Sequence, residues 1–237
     1  MPRIPIDLQA GVPLIVGSFG DLESLNSIPI HEIRESCDLV EIRLDLLPWE
    51  PMDLEQAPWL RLMELPLLFT ARRGSEGGAG NLDAMARMTR LRSVIEVASL
   101  IDIEVASITE MQSLIEELAA KDLPWIGSFH NFAEASCPDV LSAQRMLARN
   151  AGASGFKAAV ELGWNMDLLA PLSLFLQQAK DYPVSLMGMG PLAPVSRVLF
   201  AQLGSVLNYG YLGHTPTAPG QWSARQLKEA ISATVKA

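Results

Sequence analysis

Lys157 lies in GFKAAVEL, residues 155–162, a short apolar run that reads as a β-strand. An ammonium without a partner is costly to take out of water. Either this strand lies at a wet edge, or the lysine is wanted there as an amine. Residues i, i+2 and i+4 of a strand share one face. On that rule Lys157 sits with Glu161, while Phe156, Ala158, Val160 and Leu162 face away. The same parity groups Glu41, Arg43 and Asp45 in LVEIRLD, Thr70 with Arg72 in PLLFTAR, Asp102 with Glu104 in LIDIEV, and Ser128 with His130 in PWIGSFH. Each has an ordinary reading taken alone: a helix-capping acid, a satisfied structural histidine, a lysine on a solvated edge. Five runs with matching parity make a polar cluster that must be internally paired, and such clusters concentrate at functional sites.

The chemistry open to this set follows from the amine. Apolar walls and neighbouring cations lower a lysine from its ordinary pKa of about 10.4, leaving more free base near neutrality. A free amine adds to a ketone or aldehyde to give a Schiff base, whose protonated form acidifies the adjacent C–H. His130, on the preceding strand, is the natural base, with Glu76 or Asp102 to fix its tautomer. The arginines point to an anionic substrate, a carboxylate held bidentately.

Eight strand-like runs must position these residues: 13–19, 39–45, 66–72, 100–105, 124–130, 155–162, 183–190 and 206–213. Segments of helical periodicity lie between them. Ser107 and Glu110 are spaced as a capping box, and Ser223 with Gln226 repeats the spacing. Eight strand–helix units with short connections predict a (β/α)8 barrel formed as one domain over residues 1–237. The rival, an open doubly wound sheet, would carry a glycine-rich turn after its first strand, and SFGDLESL is not one. Pro194 suits the first turn of a helix and so places Arg197 near a helix N-terminus, a site that favours anions. Gly74, Gly77, Gly78 and Gly80 give the loop carrying Glu76 freedom to fold inward, but the stretch lacks the lysine and Ser/Thr of a phosphate-binding loop. GHTPTAPGQWS, after the eighth strand, has the length and Pro/Gly content of a lid.

Composition narrows the class. The chain has 237 residues, 49% of them hydrophobic, with a formal charge of −9 and a pI near 4.8. No basic run is interleaved with aromatics, which argues against a nucleic-acid partner. The apolar N-terminal run is too short and interrupted for a signal peptide or a membrane span, so a cytoplasmic location is expected. Cys37 and Cys137, without a CxxC or Cys/His cluster, read as free thiols.

VEIRLD, FTARRGSEGG, IDIEV, SFHNF, GFKAAV, MGMGPLAPVSR and TAPGQ occur in the order found in type I 3-dehydroquinate dehydratases of the shikimate pathway, which this chain resembles over nearly its whole length. The resemblance implies a hydro-lyase of aromatic amino acid and chorismate biosynthesis that converts 3-dehydroquinate to 3-dehydroshikimate by syn elimination, with no metal or organic cofactor. By position it implies that Lys157 forms the imine, His130 is the general acid/base and Glu76 orients it. It assigns Glu41, Arg43 and Arg72 to the substrate hydroxyls and polar network, Arg197 to the carboxylate, Met187 to the apolar wall, and Thr217 and Gln221 to the closing loop. A homodimer is implied as well. The chain departs from the family pattern at Thr217, where serine is usual, at Phe129, at Ala193 and in the longer FAEASCPD segment. Another Schiff-base lyase or aldolase acting on a small keto acid is the enzymatic alternative, and a barrel that senses a cyclic acid is the non-enzymatic one.

Overall fold

Val16, Leu39, Leu68, Leu100, Ile126 and Leu207 form the floor of a parallel sheet that curls on itself. The structure is a computed structural model that describes residues 3–48, 54–132, 137–214, 216–218 and 220–234. Its strands are β1 (Leu14–Phe19), β2 (Leu39–Arg43), β3 (Leu67–Thr70), β4 (Leu100–Glu104), β5 (Trp125–Asn131), β6 (Gly155–Glu161), β7 (Val184–Met189) and β8 (Leu207–Tyr211). The order in the sheet is β7-β6-β5-β4-β3-β2-β1-β8, every pairing parallel. Serine hydroxyls join the two ends of that sheet. Leu186 N–H donates to Ser205 Oγ at 3.0 Å and Leu207 N–H to Ser185 Oγ at 2.8 Å, while Val206 N–H reaches Val184 O at 2.9 Å. The result is a nearly closed eight-stranded barrel.

The alternation expected from the sequence holds on every polar strand. Val40, Ile42 and Leu44 pack outward with Phe69, Ile101, Ile103, Phe156, Ala158 and Val160 in the layer beneath the helices. On β2, β3, β4 and β5 the interior face begins apolar and turns polar towards the C-terminal end, as in Leu39, Glu41, Arg43 or Leu100, Asp102, Glu104, whereas β7 runs the other way, from Ser185 to Met187 and Met189. Large aliphatic residues in that floor contribute roughly 1.5–3 kcal/mol each, so the apolar layers stabilise the barrel and leave its mouth available for polar chemistry.

Among the described residues the α-helices are α1 (Leu22–Ser27), α2 (Ile30–Ser36), α3 (Ala84–Ser93), α4 (Gln112–Ala120), α5 (Pro138–Asn150), α6 (Leu169–Gln178), α7 (Ala193–Gln202) and α8 (Ala224–Thr234). They are not spread one per strand. Two short helices follow β1, and the β2–β3 connection has 3-10 turns at Leu54–Gln56 and Leu60–Leu62 but no α-helix among the described residues. Pro48 and Pro58 in that segment disfavour a continuous helix. The capping box expected at Ser107 is not formed. Helix α4 starts later, after Met111, and Ser107 is buried with its hydroxyl accepting from Arg87 Nη1 at 3.1 Å, while Glu110 pairs with Arg87. At α8 the expected pair is present, with Gln226 N–H donating to Ser223 Oγ at 3.3 Å. Cys37 is a buried free thiol and Cys137 an exposed one. Among the described residues no helix is long and apolar enough to cross a membrane.

Candidate active site

The C-terminal mouth of the barrel holds a cavity of about 290 Å³. Lys157, on β6, reaches into it although the residue is only 4% exposed. Its Nζ donates to Asp102 Oδ2 at 2.9 Å and lies 3.9 Å from Glu41 Oε1. Burial pulls the ammonium below its ordinary pKa, against the opposing pull of Asp102 and Glu41 and with some help from Arg72. The lysine is therefore inside the barrel rather than at a wet edge.

Arg72 ties the polar layer together. Its Nη2 donates to Asp102 Oδ2 at 2.9 Å, and its Nη1 to Glu104 Oε1 at 3.1 Å and Ser128 Oγ at 2.6 Å. Burial alone would raise the Asp102 carboxyl, but Arg72 and Lys157 outweigh it and hold Asp102 well below the usual carboxylate range. Glu104 also takes Arg73 N–H at 2.9 Å and Arg87 Nη1 at 2.9 Å, so a cation from α3 supports this layer from outside. Glu41 accepts from Ser18 Oγ at 2.6 Å and Thr70 Oγ1 at 2.8 Å. Arg43 forks onto Asp45, Nε to Oδ1 at 2.9 Å and Nη2 to Oδ2 at 2.7 Å. That pairing keeps Asp45 at the rim, where it also accepts the Arg72 and Ala79 N–H groups.

Glu76 and His130 meet at one side of the mouth. Glu76 lies in a 3-10 turn after β3 that ends at Gly77, whose φ of 83° is open to glycine at little cost. A Cβ at Gly78 would stand 2.0 Å from Arg72 O, so the loop folds against β3 only with glycine there. Gly74 makes no such demand, since a Cβ there would have no atom within 4 Å. Folded inward, Glu76 Oε2 accepts both His130 N–H at 2.9 Å and His130 Nδ1 at 3.0 Å. Of the two acids open to the sequence reading, Glu76 is the one hydrogen-bonded to the ring. Burial pushes the Glu76 carboxyl up to about 7, and burial together with Arg72 and Lys157 holds His130 well below its ordinary value.

Arg197 closes the opposite side. It is the fifth residue of α7, a full turn inside the helix rather than at its first residues, and it is 3% exposed. Its Nη1 donates to Tyr209 O at 2.9 Å, its buried Nε has no partner, and no carboxylate pairs with it among the described residues. Burial lowers its pKa to about 10. Above it, Thr217 N–H and Oγ1 both donate to Gln221 Oε1 at 2.9 Å. The Thr217 methyl has room because Gly20 lies opposite, where a Cβ would stand 2.9 Å from Cγ2.

A family model for type I 3-dehydroquinase matches residues 18–236. The chain belongs to the type I 3-dehydroquinase family. A 3-dehydroquinate dehydratase of Methanothrix thermoacetophila is 34% identical over 94% of this chain and 93% of its own length, and one of Staphylococcus epidermidis is 30% identical over 88% and 90%. Among solved structures, the 3-dehydroquinate dehydratase of Enterococcus faecalis superposes with a TM-score of 0.79 at 23% identity, covering 98% of this chain and 99% of that one.

The residues to which the resemblance assigned roles, Glu41, Arg43, Arg72, Glu76, His130, Lys157, Met187, Arg197, Thr217 and Gln221, all line this same cavity. Six others of the same parity set do not line it: Asp45 stays with Arg43, Thr70 with Glu41, and Asp102, Glu104 and Ser128 with Arg72, while Glu161 turns to Gly163 N–H at 2.9 Å. Residues 133–136 of FAEASCPD, with Thr215 and Pro219 of the expected lid, lie outside the described residues. Ser18, Phe132, Met189 and Tyr209 also line the cavity and were missed. Strand parity could have found three of them, since Ser18 follows Val16, Met189 follows Met187 and Tyr209 follows Leu207. Their side chains carry no charge to draw notice, and each passes for core.

Proposed function

We propose that Lys157 forms an imine with the ketone of 3-dehydroquinate and that His130 then moves the proton needed to expel water. The observation that carries this is a buried lysine of lowered pKa sharing one cavity with a carboxylate-tethered histidine and an arginine lacking an acidic partner among the described residues. The Lys157 amine adds to the carbonyl carbon, and the resulting carbinolamine loses water to give a protonated imine. Glu76 holds Nδ1, leaving Nε2 to take the proton from the carbon between the imine and the carbon bearing the hydroxyl. The electron pair of that C–H bond becomes the enamine. Collapse of the enamine expels the hydroxyl, which leaves as water with the proton returned by His130. Water then releases 3-dehydroshikimate and the free lysine, and every proton is accounted for by groups of the chain and water.

Arg197 takes the carboxylate in this reading, Arg43 and Glu41 the ring hydroxyls, and Met187 the apolar edge. Arg72, fully engaged with Asp102, Glu104 and Ser128, holds the network rather than the substrate. Thr217 and Gln221 close over the bound ring. The reading extends to residues 1–237 acting as one catalytic domain in the cytoplasm. Trp164 and Met166, 79% and 59% exposed just before α6, support a homodimer, which a solution mass of twice the chain would establish.

The deciding experiment is borohydride reduction in the presence of 3-dehydroquinate, followed by mass mapping. One ligand-sized mass on the GFKAAVEL peptide is expected. Label on Lys121 or Lys180, or trapping that persists in Lys157→Ala, overturns the assignment. The same reduction with small keto acids gives no adduct if the dehydratase reading is right, and an aldolase would turn them over.

A further inference from the structure

Beneath Lys157 lies a group that the reaction as drawn does not use. The Nζ stands 4.1 Å from the centroid of the Tyr209 ring, well within the range at which a cation is attracted to an aromatic face. Tyr209 is 4% exposed, so the contact is almost free of competing water. The residue comes from β8, and Arg197 Nη1 grips its carbonyl oxygen at 2.9 Å, which fixes the backbone that carries the ring. The Tyr209 hydroxyl is buried with no hydrogen-bond partner among the described residues. Burial, with Glu41 and Asp102 nearby, raises that phenol well above its ordinary value, so the ring stays protonated and uncharged.

We propose that the ring face of Tyr209 stabilises the cationic imine formed at Lys157, which makes Tyr209 a further catalytic residue. This rests on the reading of Lys157 as the imine-forming amine. In the resting site the ammonium carries three N–H donors, one of which is satisfied by Asp102 at 2.9 Å. When R₂C=O and the lysine ammonium give R₂C=NH⁺–R and water, the positive charge is retained but the nitrogen keeps a single N–H. Directional hydrogen bonding therefore falls away just as a permanent cation forms. Attraction to a ring face needs no N–H and persists through that change. Relative to the neutral amine and carbinolamine, the ring favours the charged imine, and the reaction needs that charge to acidify the neighbouring C–H.

The test replaces residue 209 in the full chain and reads the fraction trapped by borohydride with 3-dehydroquinate. Tyr209→Phe is the reference, and phenylalanines bearing one, two and three ring fluorines withdraw the negative face of the ring stepwise at nearly constant shape. Trapping is expected to fall progressively along that series. Tyr209→Leu should trap about two- to thirtyfold less than Tyr209→Phe, the span from an exposed to a desolvated cation over an aromatic face. A flat fluorine series, in a protein whose wild type traps normally, overturns the inference and leaves the role of Lys157 intact. Absence of trapping in the wild type overturns both. Should Tyr209→Leu fail to fold, the fluorinated series alone decides.

Discussion

A single oxygen of Glu76 receives both the backbone N–H of His130, at 2.9 Å, and its ring Nδ1, at 3.0 Å. Two donors from one residue fix the position of the histidine and the face its Nε2 presents to the cavity. Burial keeps the imidazole neutral, as a base must be, and the same burial pushes its carboxylate partner up to about 7. The proton on Glu76 is thus lost within the working range.

Ionisation of Glu76 should switch the histidine on. The kcat/KM of the wild type is expected to rise with pH along a limb centred near 7, where the Glu76 carboxyl ionises. Glu76→Gln should lack that limb. A limb of unchanged position in Glu76→Gln would assign the titration to another group.

The same shift has a stability consequence. Because the folded pKa of Glu76 lies above its ordinary value of 4.5, the fold binds the proton more tightly than the unfolded chain does. That stabilisation is fully present below about 4.5 and lost as pH rises through about 7, amounting to about 3 kcal/mol at most. Denaturation of the wild type and of Glu76→Gln at both ends of this window should show the wild type weakening relative to the variant as pH rises. A constant difference would contradict it.

Removal of the imidazole should cost turnover and spare binding. His130→Ala is expected to lose about 100- to 10,000-fold in kcat, with substrate affinity retained in an equilibrium titration. Near-normal turnover would remove His130 from the proton transfers and turn attention to Glu76 or Glu104.

Arg197 offers a substrate carboxylate a charge that no acidic group takes up among the described residues. Such a charge-assisted contact contributes roughly 1.5–3 kcal/mol, about ten- to a hundredfold in affinity. Arg197→Ala should weaken substrate binding by that factor, and Arg197→Lys should restore part of it, since the planar fork is lost. An analogue without the carboxylate should bind both variants alike. Equal weakening of both ligands in Arg197→Ala would make the residue structural through its bond to Tyr209.

Asp102 accepts from Arg72, Lys157 and Ser128, the last at 2.5 Å. Asp102→Asn leaves two buried cations facing a neutral amide. Loss of one partner from a buried ionic set costs about 3–5 kcal/mol, and a chain of this size loses about 2–4 °C of Tm per kcal/mol. A melting scan should therefore show a drop of about 6–20 °C. Without the opposing pull of Asp102, Lys157 falls further in pKa, so imine trapping should extend to lower pH. A thermally neutral variant with an unchanged trapping profile would contradict both statements.

The sequence by itself determined the barrel and half of its chemistry, because strand parity is a property of the backbone. Leu39, Glu41 and Arg43 must share a face whatever surrounds them, and five runs of matching parity pointed Lys157 and His130 to one interior before any contact was known. The spacing of local helix signals was less decisive. Ser107 has the spacing of a cap, yet burial beside Arg87 gave its hydroxyl another partner. Tertiary structure alone decided the pairings, since these depend on how the sheet closes and how loops fold back. Glu76 reaches His130 across 54 positions because Gly77 and Gly78 let its loop turn inward. Tyr209, outwardly an ordinary core residue, comes to lie against Lys157 only because β8 completes the barrel beside β1 and returns towards β7. Local geometry sets which way a side chain points, and closure sets what it meets.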